Sequence, residues 1–221
     1  MLMPGAGFGV VPTDVAAKLA RNKLPDATHL TLAYVTVGGV SRGTLYTVLK
    51  HIEKDGIEVV NHKAITASPA QSDFHFMALN KRYRVVYNPW RGDLFTATHS
   101  TFIPNIKTYA NFPVLVEQMM KGRWLWLRNF LLRWVIRFLP EGPSEKLLKK
   151  GRTFIHSEVK NGKGQKAVIS IQGPEAYLFT AQTLVNITIK VLQNEIKPGF
   201  QVPSIYGKEI LTDNFRNVVI T

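Results

Sequence analysis

Two runs of strand-forming residues, Arg152–Lys160 and Gln165–Gln172, meet at Asn161-Gly162-Lys163-Gly164. An Asn-Gly junction between such runs closes a hairpin, because both residues tolerate the left-handed backbone that a tight reversal demands. Phe74–Leu79 and Tyr83–Tyr87 form a second pair around Asn80-Lys81, and His29–Val37 alternates as a strand should. Ile57–Lys63, Leu94–Thr101, Lys107–Phe112 and Val218–Ile220 read as further strands, with Ala64–Asp73 as a loop. Hairpins force antiparallel neighbours. The expected fold class is therefore α+β, a mixed, mostly antiparallel sheet with helices packed on it, rather than a doubly wound α/β sheet.

Helices are expected where apolar residues recur at helical spacing behind a start signal. Pro12-Thr13-Asp14 opens one that runs to Lys23, and Ser41 caps another that runs to Lys54. A long one spans Val114–Leu139, and Ser144 caps a short one to Lys150. In the last, Glu175–Asn194, residues Ala181, Leu184, Val185, Thr188, Val191 and Leu192 share one face.

Lysine and arginine number 28 against 15 acids, a net charge of +13, which favours anionic partners. The absence of cysteine excludes disulfides, thiolate nucleophiles and cysteine-ligated zinc, and fits a reducing, cytoplasmic setting. The six histidines show no metal-ligand spacing, so no metal site is expected. Met1–Val10 has neither a basic segment nor an apolar core of the secretory kind. Trp124–Leu139 is interrupted by Arg128, Arg133 and Arg137 and falls short of the ~20 apolar residues a bilayer crossing needs. Lys81–Tyr87 alternates cations with apolar residues, which is an amphipathic strand more than a nucleic-acid surface.

Three motifs bear on chemistry. Gly5-Ala6-Gly7-Phe8-Gly9-Val10 imitates a dinucleotide fingerprint, but Val10 stands at the third glycine position and no strand leads into it. Gly39-Val40-Ser41-Arg42-Gly43 matches a nucleophile elbow, with Asp73 or Asp93 and His99 or His156 in the right chain order; too little chain precedes it for the usual strands. The same segment also reads as a plain Ser41 cap, or as an anion site made by Ser41, Arg42, Gly43 and Thr44 at a helix start.

Several segments, in order, resemble the saccharopine dehydrogenase-like oxidoreductases. They are Pro4–Asp14 (PGAGFGVVPTD), Leu24–Leu30, Gly38–Thr44, Phe95–Thr98 with Ser100-Thr101 and Ile103–Asn105, Glu141–Ser144, Gly173–Tyr177 with Thr180-Ala181, and Pro198–Phe200 with Pro203. The family often carries an acidic residue where Gly9 stands. The resemblance implies an N-terminal Rossmann domain that binds NAD(P), followed by an α+β domain for substrate and dimer contacts, and this chain resembles the second part. Residues 1–24 would be the remnant of the last Rossmann strand and helix, and 25–221 a single substrate and dimerisation domain. The cofactor, NAD(P) in a full-length parent, would not belong to this chain. The partners would be the missing Rossmann domain and a second copy, and the chain alone would be inactive. Pro12, Thr13, Ser41, Arg42, Gly43, Thr44, Tyr177 and Thr180 would form one wall of the substrate or anion cleft, with catalytic residues unassigned.

The alternative function is a non-enzymatic peripheral membrane or lipid-handling module built on the basic-aromatic helix; a serine hydrolase using Ser41 ranks third. On a helical wheel, Trp124, Leu127, Leu131, Trp134, Val135 and Phe138 form one apolar arc and Leu125, Leu132, Ile136 and Leu139 a second. So much apolar surface marks Trp124, Trp126, Arg128, Arg133, Trp134 and Arg137 as a dimer interface or an anionic-membrane contact.

Overall fold

The computed structural model describes residues 1–52, 54–214 and 217–221, with the side chains of Arg133 and Val135 outside the described set. Nine strands among the described residues make one sheet: β1 (His29–Val37), β2 (Gly56–Val60), β3 (Lys63–Ala67), β4 (Asp73–Ala78), β5 (Lys81–Tyr87), β6 (Asn105–Ala110), β7 (Arg152–Lys160), β8 (Lys166–Pro174) and β9 (Val219–Ile220). The order is β3-β2-β6-β1-β7-β8-β9, with the β4–β5 hairpin joined through β5 to β6. Among the described strands only β1 and β6 run parallel and every other strand pair is antiparallel; a lone parallel bridge also joins Leu2 to Phe200. The fold class is the α+β arrangement expected from the hairpins.

The β7–β8 hairpin closes where expected, but the left-handed residue of its turn is Gly164, not Asn161 or Gly162. Asn161 accepts the N–H groups of Lys163 and Gln165, both at 3.0 Å, and Gly164 takes the left-handed backbone (φ 79°). Beyond the β1–β6 pair, Asn111 extends the ladder with its side chain, accepting from Thr36 N–H and donating to the Thr36 carbonyl.

The helices are α1 (Val11–Lys23), α2 (Arg42–His51), α3 (Asp93–Thr101), α4 (Val114–Met120), α5 (Leu125–Phe130), α6 (Glu145–Lys150), α7 (Ala176–Leu192) and α8 (Glu209–Thr212). The small residues Ala16, Ala17 and Ala20 let α1 lie close on β7 and β8, in one core with Leu30, Leu32, Ile155, Ile171 and Phe179. The opposite face of the sheet is covered by the β4–β5 hairpin, whose Phe76, Val85 and Tyr87 pack on Val35, Tyr109 and Phe154. A third cluster joins α2 and α4 through Leu49, Ile52, Val116, Met119 and Met120.

Four readings of the sequence are corrected. Leu94–Thr101 lies in helix α3, not in a strand: the hydroxyls of Thr98, Ser100 and Thr101 bond back to carbonyls one turn earlier, so these strand-favouring residues sit in a helix. Of the expected loop Ala64–Asp73, Ala64–Ala67 belongs to the edge strand β3 and Asp73 opens β4; β3 pairs with β2 among the described residues and is exposed except at Ala67, so it carries no apolar alternation. Ser144 does start α6, but its hydroxyl makes no capping bond.

The long helix is broken. Gly122 (φ 76°) ends α4 with Arg123 N–H reaching back to the Gln118 carbonyl, and Trp124 is also left-handed (φ 56°). After α5 the chain widens into a π turn over Leu131–Val135 and tightens into a 3₁₀ turn over Ile136–Phe138. This re-phasing overrides the ideal wheel. Leu127, Leu131, Leu132 and Ile136 turn inward, while Trp124, Trp126, Phe130, Trp134 and Phe138 are exposed.

Candidate functional site

The end of β1 feeds the start of α2 through Gly38-Gly39, and there three hydroxyls meet. Ser41 caps α2, its Oγ accepting Thr44 N–H at 3.1 Å. The Tyr177 hydroxyl accepts Ser41 N–H at 2.8 Å and lies 2.9 Å from Thr44 Oγ1, which in turn is 3.0 Å from Ser41 Oγ. Tyr177 is placed by Glu175, a buried carboxylate that caps α7 by accepting the N–H groups of Tyr177 (2.7 Å) and Leu178 (3.2 Å). Gly151 leaves room for it, since a Cβ there would stand 2.5 Å from Glu175 Cγ.

The other expected site residues are placed differently. Arg42 points to Glu141 (3.3 Å), and both side chains are exposed. Gly43 gives its carbonyl to Thr47 Oγ1. Pro12 and Thr13 are buried in the first turn of α1, with Thr13 Oγ1 donating to the Val10 carbonyl. Thr180 accepts Phe8 N–H at 2.9 Å and so ties the glycine turn to α7. No histidine reaches Ser41: His156 is stacked with Phe76, and His99 packs on Phe102 and Phe200. Asp73 pairs with Arg84 and Asp93 with Arg91, so the triad that the elbow motif suggested is not assembled.

The glycine turn does not fit a dinucleotide pyrophosphate. The Phe8, Val10 and Val11 N–H groups are engaged by Thr180 and by the Gly7 carbonyl, so the donors that a phosphate would need are taken.

Beside this turn lies a cavity of about 540 Å³ at the end of β1, which the sequence reading missed. Gly9 and Val10 border it on one side, Thr47, Val48, His51 and Lys54 on a second, and Asn88, Trp90, Arg91 and Phe112 on a third, with Tyr34 also lining it. Arg91 is 8% exposed and forms a buried ion pair with Asp93, its Nε 2.9 Å from each carboxylate oxygen. Its Nη2 donates to the Gly9 carbonyl (2.8 Å), and its guanidinium stacks 4.0 Å from the centre of the Tyr34 ring. Burial is the largest single influence on Arg91 and acts to lower its pKa, but the charge and hydrogen bonds of Asp93 together with Tyr34 leave the group raised. Nearby, burial raises the pKa of Asp14, which accepts from Ser100 Oγ (2.7 Å) and Ser204 N–H (2.9 Å).

No described residue hydrogen-bonds to Nη1 of Arg91 or to the Tyr34 hydroxyl. With Lys54, His51 and the Asp55 carboxylate also on its lining, the cavity offers hydrogen-bond donors and a cation beside one acid, around the apolar surfaces of Val48, Trp90 and Phe112. Such a lining suits an acceptor-rich anion with an apolar body. The signal in the sequence was Asn88-Pro89-Trp90-Arg91-Gly92-Asp93, a turn-forming segment that carries an aromatic and an ion pair. Gly9 opens toward empty space, with no atom within 4 Å of where a Cβ would stand.

An apo, histidine-tagged saccharopine dehydrogenase (L-Glu forming) from Saccharomyces cerevisiae is similar in structure, with a TM-score of 0.52 at 12% identity over 96% of this chain and 71% of that one. The fold is dehydrogenase-like. No protein-family model and no curated protein matches the sequence. At that identity the likeness concerns the fold alone. Among the described residues, no cluster of His, Asp and Glu is arranged to hold a metal, and no helix is long and apolar enough to cross a membrane.

Proposed function

We propose that this chain is the substrate-side domain of a saccharopine dehydrogenase-like, NAD(P)-dependent oxidoreductase, working in the cytoplasm with a nucleotide-binding domain supplied from outside the described residues. The observation that carries this reading is the cavity at the end of β1, where Arg91 and Tyr34 present unengaged donors on a dehydrogenase-like fold. Residues 1–24 then lead from the last elements of the Rossmann domain into the α+β domain of 25–221. In this reading the cavity holds a small oxo or amino carboxylate, its anionic end toward Arg91 and Lys54. The Ser41–Thr44–Tyr177 cluster fixes the start of α2, the helix that supplies Thr47, Val48 and His51 to the cavity wall. A homodimer belongs to the same reading, and the outer face of α7, with Leu184, Val185 and Leu192 exposed, is the surface available for it.

The test is a titration of the whole chain, followed by heteronuclear NMR, with a panel of small oxo and amino carboxylates and, separately, with NADH and NADPH. The carboxylates are expected to move the resonances of Gly9, Tyr34, Trp90 and Arg91, and the dinucleotides to bind far more weakly. A micromolar dissociation constant for either dinucleotide on this chain would overturn the assignment of the cofactor to another domain. A carboxylate panel that leaves the cavity resonances unmoved would overturn its role as a substrate wall.

A further inference from the structure

Three of the four tryptophans lie between residues 124 and 134, and all three are exposed. Trp126, Phe130, Trp134 and Phe138 follow one another at four-residue intervals, with Trp126 72% and Phe138 86% exposed. The segment is anchored rather than loose. Leu127, Leu131 and Leu132 pack on the cluster that contains Leu49, Met119 and Met120, and Ile136 is buried. The aromatic row is thus held outward by its own inner face.

Charge is as one-sided as the aromatic row. Arg123, Arg128, Arg133 and Arg137 follow one another before Glu141 in a stretch that holds no carboxylate, while Lys121 at its start is paired with Glu117 at 2.7 Å. The Arg133 side chain lies outside the described residues; Arg123 and Arg137 are exposed. Tryptophan with arginine is the chemistry of the lipid headgroup region, where aromatic rings settle at the boundary and basic heads reach phosphate. A second copy of this chain would bring the same cations against one another. An anionic bilayer would neutralise them.

We propose that the aromatic row from Trp124 to Phe138 docks this protein peripherally on an anionic lipid bilayer. The rings enter the headgroup layer while the exposed Arg123 and Arg137 meet lipid phosphates. This inference is independent of what the cavity at the end of β1 binds.

The whole chain is tested by flotation with vesicles of phosphatidylcholine alone and of phosphatidylcholine mixed with phosphatidylglycerol. Binding is expected only to the mixed vesicles, to weaken as salt rises, and to be accompanied by a blue shift of tryptophan emission. The double variant Trp126→Ser/Trp134→Ser is expected to keep its circular dichroism, because both side chains are exposed, and to bind about tenfold or more weakly. The proposal is overturned if the protein stays unbound with mixed vesicles at low salt, or if the double variant floats as well as the parent. It is equally overturned if sedimentation shows that the parent self-associates and the double variant does not, since the row would then be covered by a second copy.

Discussion

The hydroxyl of Tyr177 accepts the backbone N–H of Ser41 from 136 positions away, binding the first turn of α2 to the first turn of α7. Ser41 Oγ is at the same time the cap of α2, so the serine holds backbone on both sides. Ser41→Ala should cost about 0.5–2 kcal/mol as a lost helix cap, and Tyr177→Phe about 1 kcal/mol as a lost hydrogen bond, both read from urea unfolding. With no histidine at the serine, a fluorophosphonate probe should leave Ser41 unlabelled. Covalent labelling there would revive the hydrolase reading.

Arg91 and Asp93 form the most enclosed ion pair beside the cavity, with side chains 7% and 0% exposed. Removing one partner of a buried pair strands the other charge. Asp93→Asn should therefore destabilise the chain by about 3–5 kcal/mol in thermal or urea unfolding. It should also loosen the glycine turn, because Arg91 holds the Gly9 carbonyl. A variant as stable as the parent would show that the pair is not what orders this corner.

The sheet was legible because its strands carry local signals: the Asn-Gly turn after β7, and the alternation of β1, which ends where the sequence reading ended it. What escaped is what depends on tertiary context. The helix α3 is rich in β-branched residues that become helical by bonding their hydroxyls to their own backbone. The strand β3 shows its outer side chains to solvent and so has no apolar period to read. At the site, Ser41, Thr44 and Tyr177 were legible through a capping pattern and a resemblance. Arg91 and Tyr34 were not, since their juxtaposition exists only once β1 and the 88–92 segment are folded together.

Stability should also fall on mild acidification, and His156 is the group responsible. Its ring is buried against Phe74 and Phe76, and neither ring nitrogen has a hydrogen-bond partner among the described residues. Burial lowers its pKa from 6.5, with the Glu158 carboxylate opposing more weakly. The folded state thus keeps the ring neutral while the unfolded chain takes up a proton as the pH falls below 6.5, so unfolding gains ground in acid. His156→Leu should remove that part of the slope in urea midpoints measured from neutral pH downward. An unchanged slope between pH 6.5 and 4.5 would assign the acid sensitivity to another group; below 4.5 Glu117 adds a separate loss, because the Arg84 and Lys121 hydrogen bonds hold its carboxyl down at about 2.

The helix α7 presents its apolar residues outward, against the ordinary expectation for a helix on a sheet. Leu184, Val185, Ile189 and Leu192 are exposed, Leu192 by 76%, while Gln182, Thr183 and Asn186 are buried with Phe179 and Ile187. Asn186 is the reason the polar side can face inward. Its Nδ2 donates to the carbonyls of Ile210 (3.0 Å) and Asp213 (2.7 Å), and its Oδ1 accepts from Asn214 (3.0 Å), so it fastens α8 and the chain beyond it to α7. Asn186→Ala leaves a buried carbonyl without its donor and should cost about 1–3 kcal/mol. Leu192→Ala, which removes far more apolar surface, should change stability by no more than about 0.5 kcal/mol when the chain is dilute. Urea unfolding of the two variants decides the matter, because an apolar face turned to the core would reverse the order. Repeating the Leu192→Ala measurement at high protein concentration then asks whether a second copy covers the row: a cost that appears only there means that it does.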